Sequence, residues 1–180
     1  NRTAVINPIT LLSLVLLSTP NHAIDENVLV QQLNLYKKIA EQLPYDSLIE
    51  MTPLNGAGIV AYGVQLKAIQ RVKHPLGDLI CVAENQAVFL TYFRNNILHL
   101  FILPSLVACL MQHNGQLQRE QMVSVIASLY PYLQSELFLP WDLAEIEGLV
   151  NQHIDALIDA QLLTSHEETI ISPQPNTEAY

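Results

Sequence analysis

Cysteine is scarce in this sequence. Only Cys81 and Cys109 occur among 180 residues, and neither has the set of close Cys or His neighbours that a zinc site needs. This scarcity excludes the disulfide framework of a small secreted domain and the ligand spacing of a zinc site. The first residues lack an initiator Met and the basic region of a signal peptide. We therefore expect a non-secreted piece of a longer protein in a reducing compartment.

Positive charge is missing from the last third of the chain. All eight Lys and Arg residues lie at or before Arg119, whereas residues 120–180 carry ten acidic residues and no basic one. Residues 1–119 hold eight basic against seven acidic residues. Phosphate backbones and anionic lipids would repel the acidic part, so any such contact should fall on the first two thirds. With a net charge of -9 and a pI of about 4.9, we expect no nucleic-acid partner.

The strong motifs of catalysis are absent as well. The sequence has no Gly-x-x-x-x-Gly-Lys phosphate loop, Gly-x-Ser-x-Gly elbow, His-Glu-x-x-His helix or Cys-x-x-Cys pair. His74 and Asp78 bring an imidazole near a carboxylate, a pairing that activates hydroxyl nucleophiles. Pro75 and Gly77 between them favour a tight turn instead. We predict neither a metal site nor a cofactor.

Two other groups of residues favour structural roles. His153 lies with Asp155 and Asp159 on a predicted helix, a pattern typical of a solvated acidic face. Aromatic residues also flank two prolines, and such residues pack helix junctions more often than they stack on nucleobases. These aromatic residues are Tyr130, Tyr132, Phe138 and Trp141.

Helix signals dominate a sequence that is 50% hydrophobic and long enough to bury a core. Asn7-Pro8 is an N-cap followed by proline at the first helical position. Asp25 caps a longer helix that runs to about Leu43, and Asn55-Gly56 opens a third helix to about Val72. We predict a mainly α fold, a helical domain with one or two short β-hairpins.

A hairpin should follow the third helix. Two short apolar runs, residues 79–83 and 87–91, are separated by three polar residues, which suits a short hairpin loop. Three helices followed by a hairpin is the order of a winged-helix unit. We therefore predict a winged-helix-like unit over residues 1–91.

The rest of the chain predicts a second helical unit over residues 92–171. Helices are expected at about 92–113, with an interruption at Pro104, and at about 118–136 and 142–160. Residues 162–164 and 169–171 can pair as a second, small hairpin. The polar, proline-rich residues 172–180 predict a disordered tail.

An uncharged span occupies residues 95–118, and residues 97–111 are almost entirely apolar on every face. All-round hydrophobicity indicates burial or lipid contact. Fifteen residues at about 1.5 Å each reach roughly 22 Å, which is short of a hydrocarbon core near 30 Å. A central buried helix is therefore favoured, and an interfacial or re-entrant membrane helix is the alternative.

A polar step precedes the apolar stretch of residues 97–111. Arg94-Asn95-Asn96 places many donors and acceptors beside an apolar wall, which is costly unless each is hydrogen-bonded. The step could bind an anionic ligand through Arg94, but a buried polar network that joins the helix, the hairpin and a missing partner domain is favoured. We predict a docking site of Arg94, Asn95, Asn96 and His99.

Several short motifs occur along the chain in an order that matches a known family. They are Asn7-Pro8-Ile9-Thr10-Leu11-Leu12, Leu16-Leu17-Ser18-Thr19-Pro20, His74-Pro75-Leu76-Gly77-Asp78 and Tyr92-Phe93-Arg94-Asn95-Asn96-Ile97-Leu98-His99-Leu100-Phe101, with Leu103-Pro104-Ser105-Leu106 after the last. Together they resemble the C-terminal region of the bacterial membrane-bound glycerol-3-phosphate acyltransferase family. The resemblance covers the chain to about residue 165.

This resemblance implies a parent enzyme at the cytoplasmic face of the bacterial inner membrane. The enzyme would move an acyl group from acyl-CoA or acyl-carrier protein to the 1-hydroxyl of glycerol 3-phosphate, the first step of phospholipid synthesis. The family's base is a His-x-x-x-x-Asp motif, but no histidine here has Asp five places later. The family's arginine motifs for glycerol phosphate are absent too. No catalytic or substrate-binding residue is therefore carried over, and the chain alone should be inactive.

Two functions follow as hypotheses. The chain is either an accessory C-terminal domain that docks on the upstream catalytic domain, or a winged-helix module that binds protein or nucleic acid without enzymatic activity. The motif resemblance favours the first, because the low pI and the few basic residues argue against DNA binding.

Overall fold

The computed structural model describes residues 5–42, 50–75, 77–137 and 139–172. The chain divides into two compact units. The first unit comprises Asn1–Glu41 and Tyr45–Leu98, and the second comprises Gln42–Pro44 and His99–Tyr180. Most of the described residues are helical, so the predicted mainly α fold is confirmed.

The first unit contains three helices and the start of a fourth, joined by short strands. Its elements in chain order are β1 (Val5–Ile6), α1 (Pro8–Leu16), a 3-10 turn (Pro20–His22), β2 (Ala23–Asp25), α2 (Glu26–Gln42), β3 (Glu50–Met51), α3 (Gly56–Gln65), β4 (Ile69–Val72), β5 (Leu79–Val82) and the first part of α4 (Ala87–Asn114).

The predicted N-caps of these helices are confirmed. The Asn7 side chain accepts a hydrogen bond from the Thr10 amide at 3.0 Å. Asp25 accepts from two amides in the first turn of α2, and Asn55 accepts from the Gly58 amide at 2.9 Å. Each cap satisfies N–H groups that have no partner inside the helix.

The first hairpin was predicted one segment too late. β5 pairs antiparallel with β4, with Ile69 opposite Val82, and residues 87–91 are helical instead. The Leu90 amide donates to the Gln86 carbonyl at 2.9 Å, and Leu90 is fully buried, so this run begins a helix with Leu90 on its buried face. β-branched and aromatic residues there indicated a strand, but packing overrode that propensity.

The third helix is also shorter than predicted. It ends at Gln65 rather than near Val72, because Lys67 adopts a left-handed backbone with φ of 57°. The Ala68 amide then donates to the Gly63 carbonyl at 3.1 Å, which closes the helix end and releases the chain into β4.

The second unit contains the rest of α4, followed by β6 (Gln116–Gln118), α5 (Arg119–Leu137), α6 (Leu143–Asp159), β7 (Thr164–His166) and β8 (Thr169–Ile171). The predicted second hairpin is present, since β7 pairs antiparallel with β8, but its first strand lies two residues later than predicted. Pro104 lies inside α4, so the predicted interruption does not end that helix. The predicted tail lies outside the described residues except for Ser172.

Apart from β1, β3 and the 3-10 turn, which occur in the first unit, both units follow the same order of elements: helix, strand, helix, helix, strand, strand. The three-stranded sheets have the orders β2-β5-β4 and β6-β8-β7, so in each the first strand pairs with the last. All pairs in these two sheets are antiparallel. The topology of the first unit is therefore repeated in the second.

The repeat extends to single hydrogen bonds. The Glu26 amide opens α2 and donates to the Asp78 carbonyl at 2.9 Å, and the Arg119 amide opens α5 and donates to the Glu168 carbonyl at 2.8 Å. In both units the acceptor directly precedes the last strand. The same bond thus ties the second helix to the sheet twice.

The ends of α3 and α6 match in the same way. Lys67 and Gln161 each lie two residues after their helix, with φ of 57° and 63°. Their amides donate to the carbonyls of Val64 and Ile158, three residues back, at 3.0 and 2.8 Å. The second helices of the two units also bury matching pairs of residues, four positions apart. The pairs are Leu29 and Leu33 in α2, and Met122 and Ile126 in α5.

Candidate docking site

The polar step predicted as a docking site lies on α4 within the first unit. The Arg94 guanidinium donates to Oδ1 of Asn95 through Nε at 3.3 Å and Nη2 at 3.2 Å. Asn95 and Asn96 are exposed, and Arg94 is half-buried. The three residues therefore present polar groups to solvent, and a buried network would need a partner surface to cover them.

His99 belongs to the second unit and is half-buried. Burial lowers the pKa of its imidazole, because desolvation disfavours the charged ring. A ring that is neutral at pH 7 suits an apolar environment. The docking role of His99, like that of Arg94, Asn95 and Asn96, stays a prediction.

An apolar cluster directly before this polar step was missed in the sequence. Val88, Phe89 and Tyr92 are all exposed on α4, and Phe93 lies against both aromatic neighbours. The spacing of four residues from Val88 to Tyr92 would have revealed a shared helix face. That signal was hidden because residues 87–91 were predicted as a strand.

The pair His74 and Asp78 forms a turn, as predicted. The Gly77 amide donates to the His74 carbonyl at 3.1 Å, so this segment is the loop between β4 and β5. Asp78 Oδ2 lies 4.0 Å from Nε of Arg71, on the adjoining strand. The Asp78 carboxylate thus faces a guanidinium at the loop end of the hairpin.

The prediction of a solvated face at His153 is wrong for the histidine itself. Its side chain is 2% exposed, and Nδ1 lies 2.7 Å from the Leu149 carbonyl, a distance at which the neutral ring donates. Burial lowers the pKa of His153, and the hydrogen bond to Leu149 opposes that shift. Asp155 is exposed and pairs with Arg119 at 2.7 Å. α6 therefore buries the imidazole and exposes the carboxylate.

The aromatic residues near the prolines include a packed junction, as predicted. Tyr130 is fully buried, and its hydroxyl donates to the Trp141 carbonyl at 2.7 Å. Gln134 donates to the same carbonyl at 2.8 Å. Tyr132 is exposed, and Phe138 lies outside the described residues. The buried ring holds the loop between α5 and α6.

A shallow groove in the first unit has acidic groups in its wall; it is lined by Glu26, Asn27, Val30, Gln31, Ala57 and Asp78. Arg71 binds both Glu26 oxygens at 2.6 Å, which neutralises that carboxylate. Among the described residues no three His, Cys, Asp or Glu side chains are grouped to hold a metal ion. The groove therefore offers an ion-paired wall.

Helix α4 is long and apolar enough to cross a membrane by length and composition, and it is alone in this among the residues described here. In the second unit, however, Leu100, Leu103, Val107 and Met111 are buried at spacings of three or four residues. Cys109 is exposed. A stripe of this kind is typical of a helix packed on a core, so membrane evidence from α4 is weak.

Comparison with known proteins agrees with the sequence resemblance. All of the chain, residues 1–180, matches the family model of the glycerol-3-phosphate acyltransferase C-terminal region. A protein named glycerol-3-phosphate acyltransferase from Pseudomonas paraeruginosa is 38% identical over 180 residues, which are 100% of this chain and 22% of the relative.

Two further relatives carry the same name. The protein from Xanthomonas axonopodis pv. citri is 42% identical over 163 residues, which are 91% of this chain and 18% of the relative. The protein from Xylella fastidiosa is 42% identical over 165 residues, which are 92% and 19% of the two chains. The chain thus spans about a fifth of the length of the curated relatives it matches. On a match over all 180 residues, this chain belongs to the family of glycerol-3-phosphate acyltransferase C-terminal regions.

Proposed function

We propose that this chain is an accessory C-terminal part of a longer enzyme that acylates the 1-hydroxyl of sn-glycerol 3-phosphate. The acyl donor is acyl-CoA or acyl-carrier protein, and the enzyme works at the cytoplasmic face of the bacterial inner membrane. The observation that carries this proposal is the family match over residues 1–180. The relatives are named glycerol-3-phosphate acyltransferase, and that name supplies the reaction class.

The chain itself contributes no catalytic group to this acyl transfer. Acyl transfer to a hydroxyl needs a base positioned by a second group, and the family's base is a histidine with Asp five residues later. The six histidines here are followed at that position by Asn, Leu, Pro, Gln and Ile residues. The base and the phosphate-binding groups therefore belong to the part of the enzyme that this chain does not include, and this chain alone is inactive.

The repeated topology supports a finer description of the fold. A helix, a strand, two helices and a closing hairpin, with the first strand beside the last, is the arrangement of a winged helix. The chain is a tandem of two such units, over residues 1–91 and 92–171. In nucleic-acid-binding modules basic side chains cluster on the contacting face. Neither α3 nor α6 contains Lys or Arg, so these units serve protein contacts rather than nucleic acid.

The contact with the catalytic part involves Arg94, Asn95, Asn96 and His99. The exposed amides of Asn95 and Asn96 offer donors and acceptors, and the guanidinium of Arg94 offers one positive charge. Arginine and amide side chains that surround an apolar centre are common at the rims of protein interfaces. These four residues therefore position the chain on the rest of the enzyme and do not touch substrate.

An acyl-transfer assay tests this function. The full-length enzyme and the 180-residue chain are each incubated with palmitoyl-CoA and radiolabelled glycerol 3-phosphate, and lysophosphatidate is counted. Turnover is expected from the full-length enzyme only. Product formed by the isolated chain would overturn the accessory role, and a full-length protein without activity would overturn the reaction class.

The alternative module function predicts DNA binding that weakens steeply with salt. An electrophoretic shift of a random duplex at low salt, lost at high salt, would favour that alternative. With one Arg and ten acidic residues in the second unit, we expect no shift.

A further inference from the structure

The start of α4 exposes more apolar surface than a water-facing helix normally does. Val88 is 83% exposed, Tyr92 is 66% exposed and Phe89 is 41% exposed. Val88 and Tyr92 are four residues apart and share one face of the helix, with Phe89 at its edge. We call these three residues the aromatic stripe. Leu90 and Ile97, on the opposite face, are fully buried, so the helix is already anchored without the stripe.

The rings of the stripe are held in place before any partner binds. The rings of Phe89 and Phe93 pack edge to face with centroids 4.8 Å apart. Tyr92 and Phe93 are perpendicular at 5.5 Å. Such geometry is favourable for aromatic pairs. Side chains that are ordered in advance lose less entropy on association, so this surface is prepared for binding.

Polar groups border the stripe on one side. One helical turn after Tyr92 come Asn95 and Asn96, both exposed, and Arg94 is bonded to Asn95. An apolar, aromatic centre with an arginine and amide rim is the usual anatomy of a protein interface. The single charge of this rim is the positive guanidinium of Arg94. A carboxylate or carbonyl acceptor on the partner would bind it.

A lipid surface fits these observations less well. Helices that lie in a membrane interface have a polar face rich in Lys and Arg. Between Glu84 and Arg119 the chain has one charged residue, Arg94. The apolar face also changes to amides after a single turn, which limits the depth to which it could insert. A protein pocket therefore fits the surface better than a bilayer does.

We propose that the aromatic stripe is the central contact through which this chain docks on the remaining part of its own longer protein. An apolar pocket there receives Val88 and Tyr92, and an acceptor at the pocket edge binds Arg94. This inference rests on the proposed function, because the chain spans 22% of the length of a relative and the other residues must present that pocket.

Hydroxyl-radical footprinting of the full-length enzyme tests the proposal without substitution. Tyr92 and Tyr132 are 66% and 74% exposed in this structure, so they form a matched pair. We expect the modification rate of Tyr92 to be lower than that of Tyr132 by a factor of about five or more, because interface cores exclude water. Equal rates would overturn the proposal. Slow modification of Tyr92 only after phosphatidylethanolamine and phosphatidylglycerol vesicles are added would overturn it in favour of lipid.

A variant pair extends the test to the partner surface. Val88→Asp with Tyr92→Asp places charges in the stripe, and Val125→Asp with Tyr132→Asp places them on exposed positions of α5. In the full-length enzyme the first pair should speed amide exchange in α4 and in one segment outside this chain, and the second pair should not. If both pairs leave all exchange outside this chain unchanged, the docking proposal fails.

An error in the reaction class and an error in the docking site would give different experimental results. Loss of the proposed reaction class would appear as a folded full-length enzyme without acyl transfer, whatever the footprint of Tyr92. Failure of the docking site would appear as a fully modified Tyr92 in an enzyme that still transfers acyl groups.

Discussion

The two units of this protein share a topology and differ in charge. The first unit has seven basic and seven acidic residues, whereas the second has one basic and ten acidic. Both nevertheless tie the second helix to the sheet with the same backbone bond, from Glu26 to Asp78 and from Arg119 to Glu168. Backbone bonds and core pattern therefore define this topology, and the surface charge is free to serve binding.

The units also differ in how closely their helices pack. Gly56 and Gly63 lie on buried positions of α3, where Val150 and Leu157 stand on α6 at the same spacing. A Cβ on Gly63 would clash with Leu12 of α1, and one on Gly56 would clash with the Val30 carbonyl of α2. α3 thus approaches its neighbours more closely than a larger side chain would allow.

The largest effect should come from erasing that difference. Gly63→Leu gives the first unit the side chain found in the second, and we expect a loss of about 3 kcal/mol or more in its free energy of unfolding, since overpacking a close helix contact forces backbone shifts. Amide exchange across α1 and α3 in urea measures the loss.

A matched control is available in the second unit. Gly148 lies on α6 with nothing within 4 Å of an added Cβ. Gly148→Ala should stabilise α6 by about 0.5–1 kcal/mol, because glycine in a helix has excess backbone entropy when unfolded. Equal effects at Gly63 and Gly148 would contradict the packing difference.

The second effect in size is a dependence of the second unit's stability on pH. Because burial lowers the folded-state pKa of His153, the unfolded chain binds its proton first as the pH falls. The contribution of His153 to the free energy of unfolding is therefore fully present above the unfolded pKa near 6.5. Below that pH the free energy of unfolding decreases by up to about 1.4 kcal/mol per pH unit. Fluorescence of Trp141, the sole tryptophan, follows unfolding of this unit.

The variant His153→Ile supplies the control, since Ile59 occupies the corresponding buried position of α3. It should flatten the pH dependence below about pH 6.5 and leave the contribution of His99, whose pKa is also lowered by burial. An unchanged slope in His153→Ile would refute the assignment.

A third, smaller difference concerns the residue that precedes the N-cap of the third helix in each unit. The Trp141 carbonyl accepts from buried Tyr130, whereas the Leu54 carbonyl accepts from Lys37 Nζ at 3.0 Å on a more exposed surface. Tyr130→Phe should cost about 1 kcal/mol, as loss of one buried hydrogen bond does. Lys37→Met should cost less. Thermal unfolding of both variants ranks them, and the reverse order would count against burial as the cause.

The smallest effect should come from the ion pairs. Arg71 binds Glu26 in the first unit, and Arg119 binds Asp155 in the second, and each pair has one exposed member, Arg71 and Asp155 respectively. Arg71→Gln and Arg119→Gln should each cost less than about 1 kcal/mol, and the cost should shrink in 1 M salt. Unfolding in urea at low and high salt measures both. A larger, salt-independent loss would show that the guanidinium packs rather than pairs.

Much of this architecture follows from local signals in the sequence. Helix starts can be predicted at Asn7, Asp25 and Asn55, because Asn and Asp side chains accept hydrogen bonds from the free amides of a first helical turn. The hairpin at residues 69–82 could not be found so easily, since no Gly or Pro separates α3 from β4. The break is made by Lys67 in a left-handed conformation, which a lysine seldom indicates.

The candidate site was predicted in part. Arg94-Asn95-Asn96 is conspicuous as the polar step before an uncharged span, so composition alone pointed to it. Val88 and Tyr92 were missed because their importance depends on exposure, and exposure depends on which face Leu90 and Ile97 bury. Burial of His153 was missed for the same reason. Its neighbours Asp155 and Asp159 suggested a solvated acidic face.

The most direct test of the accessory role is reconstitution from two parts. The upstream part of the full-length enzyme is purified alone, and lysophosphatidate formation is measured before and after the 180-residue chain is added at increasing concentration. We predict little or no activity from either part alone and a saturable gain on mixing that Val88→Asp with Tyr92→Asp abolishes. Full activity of the upstream part alone, unchanged by the chain, would contradict the accessory role.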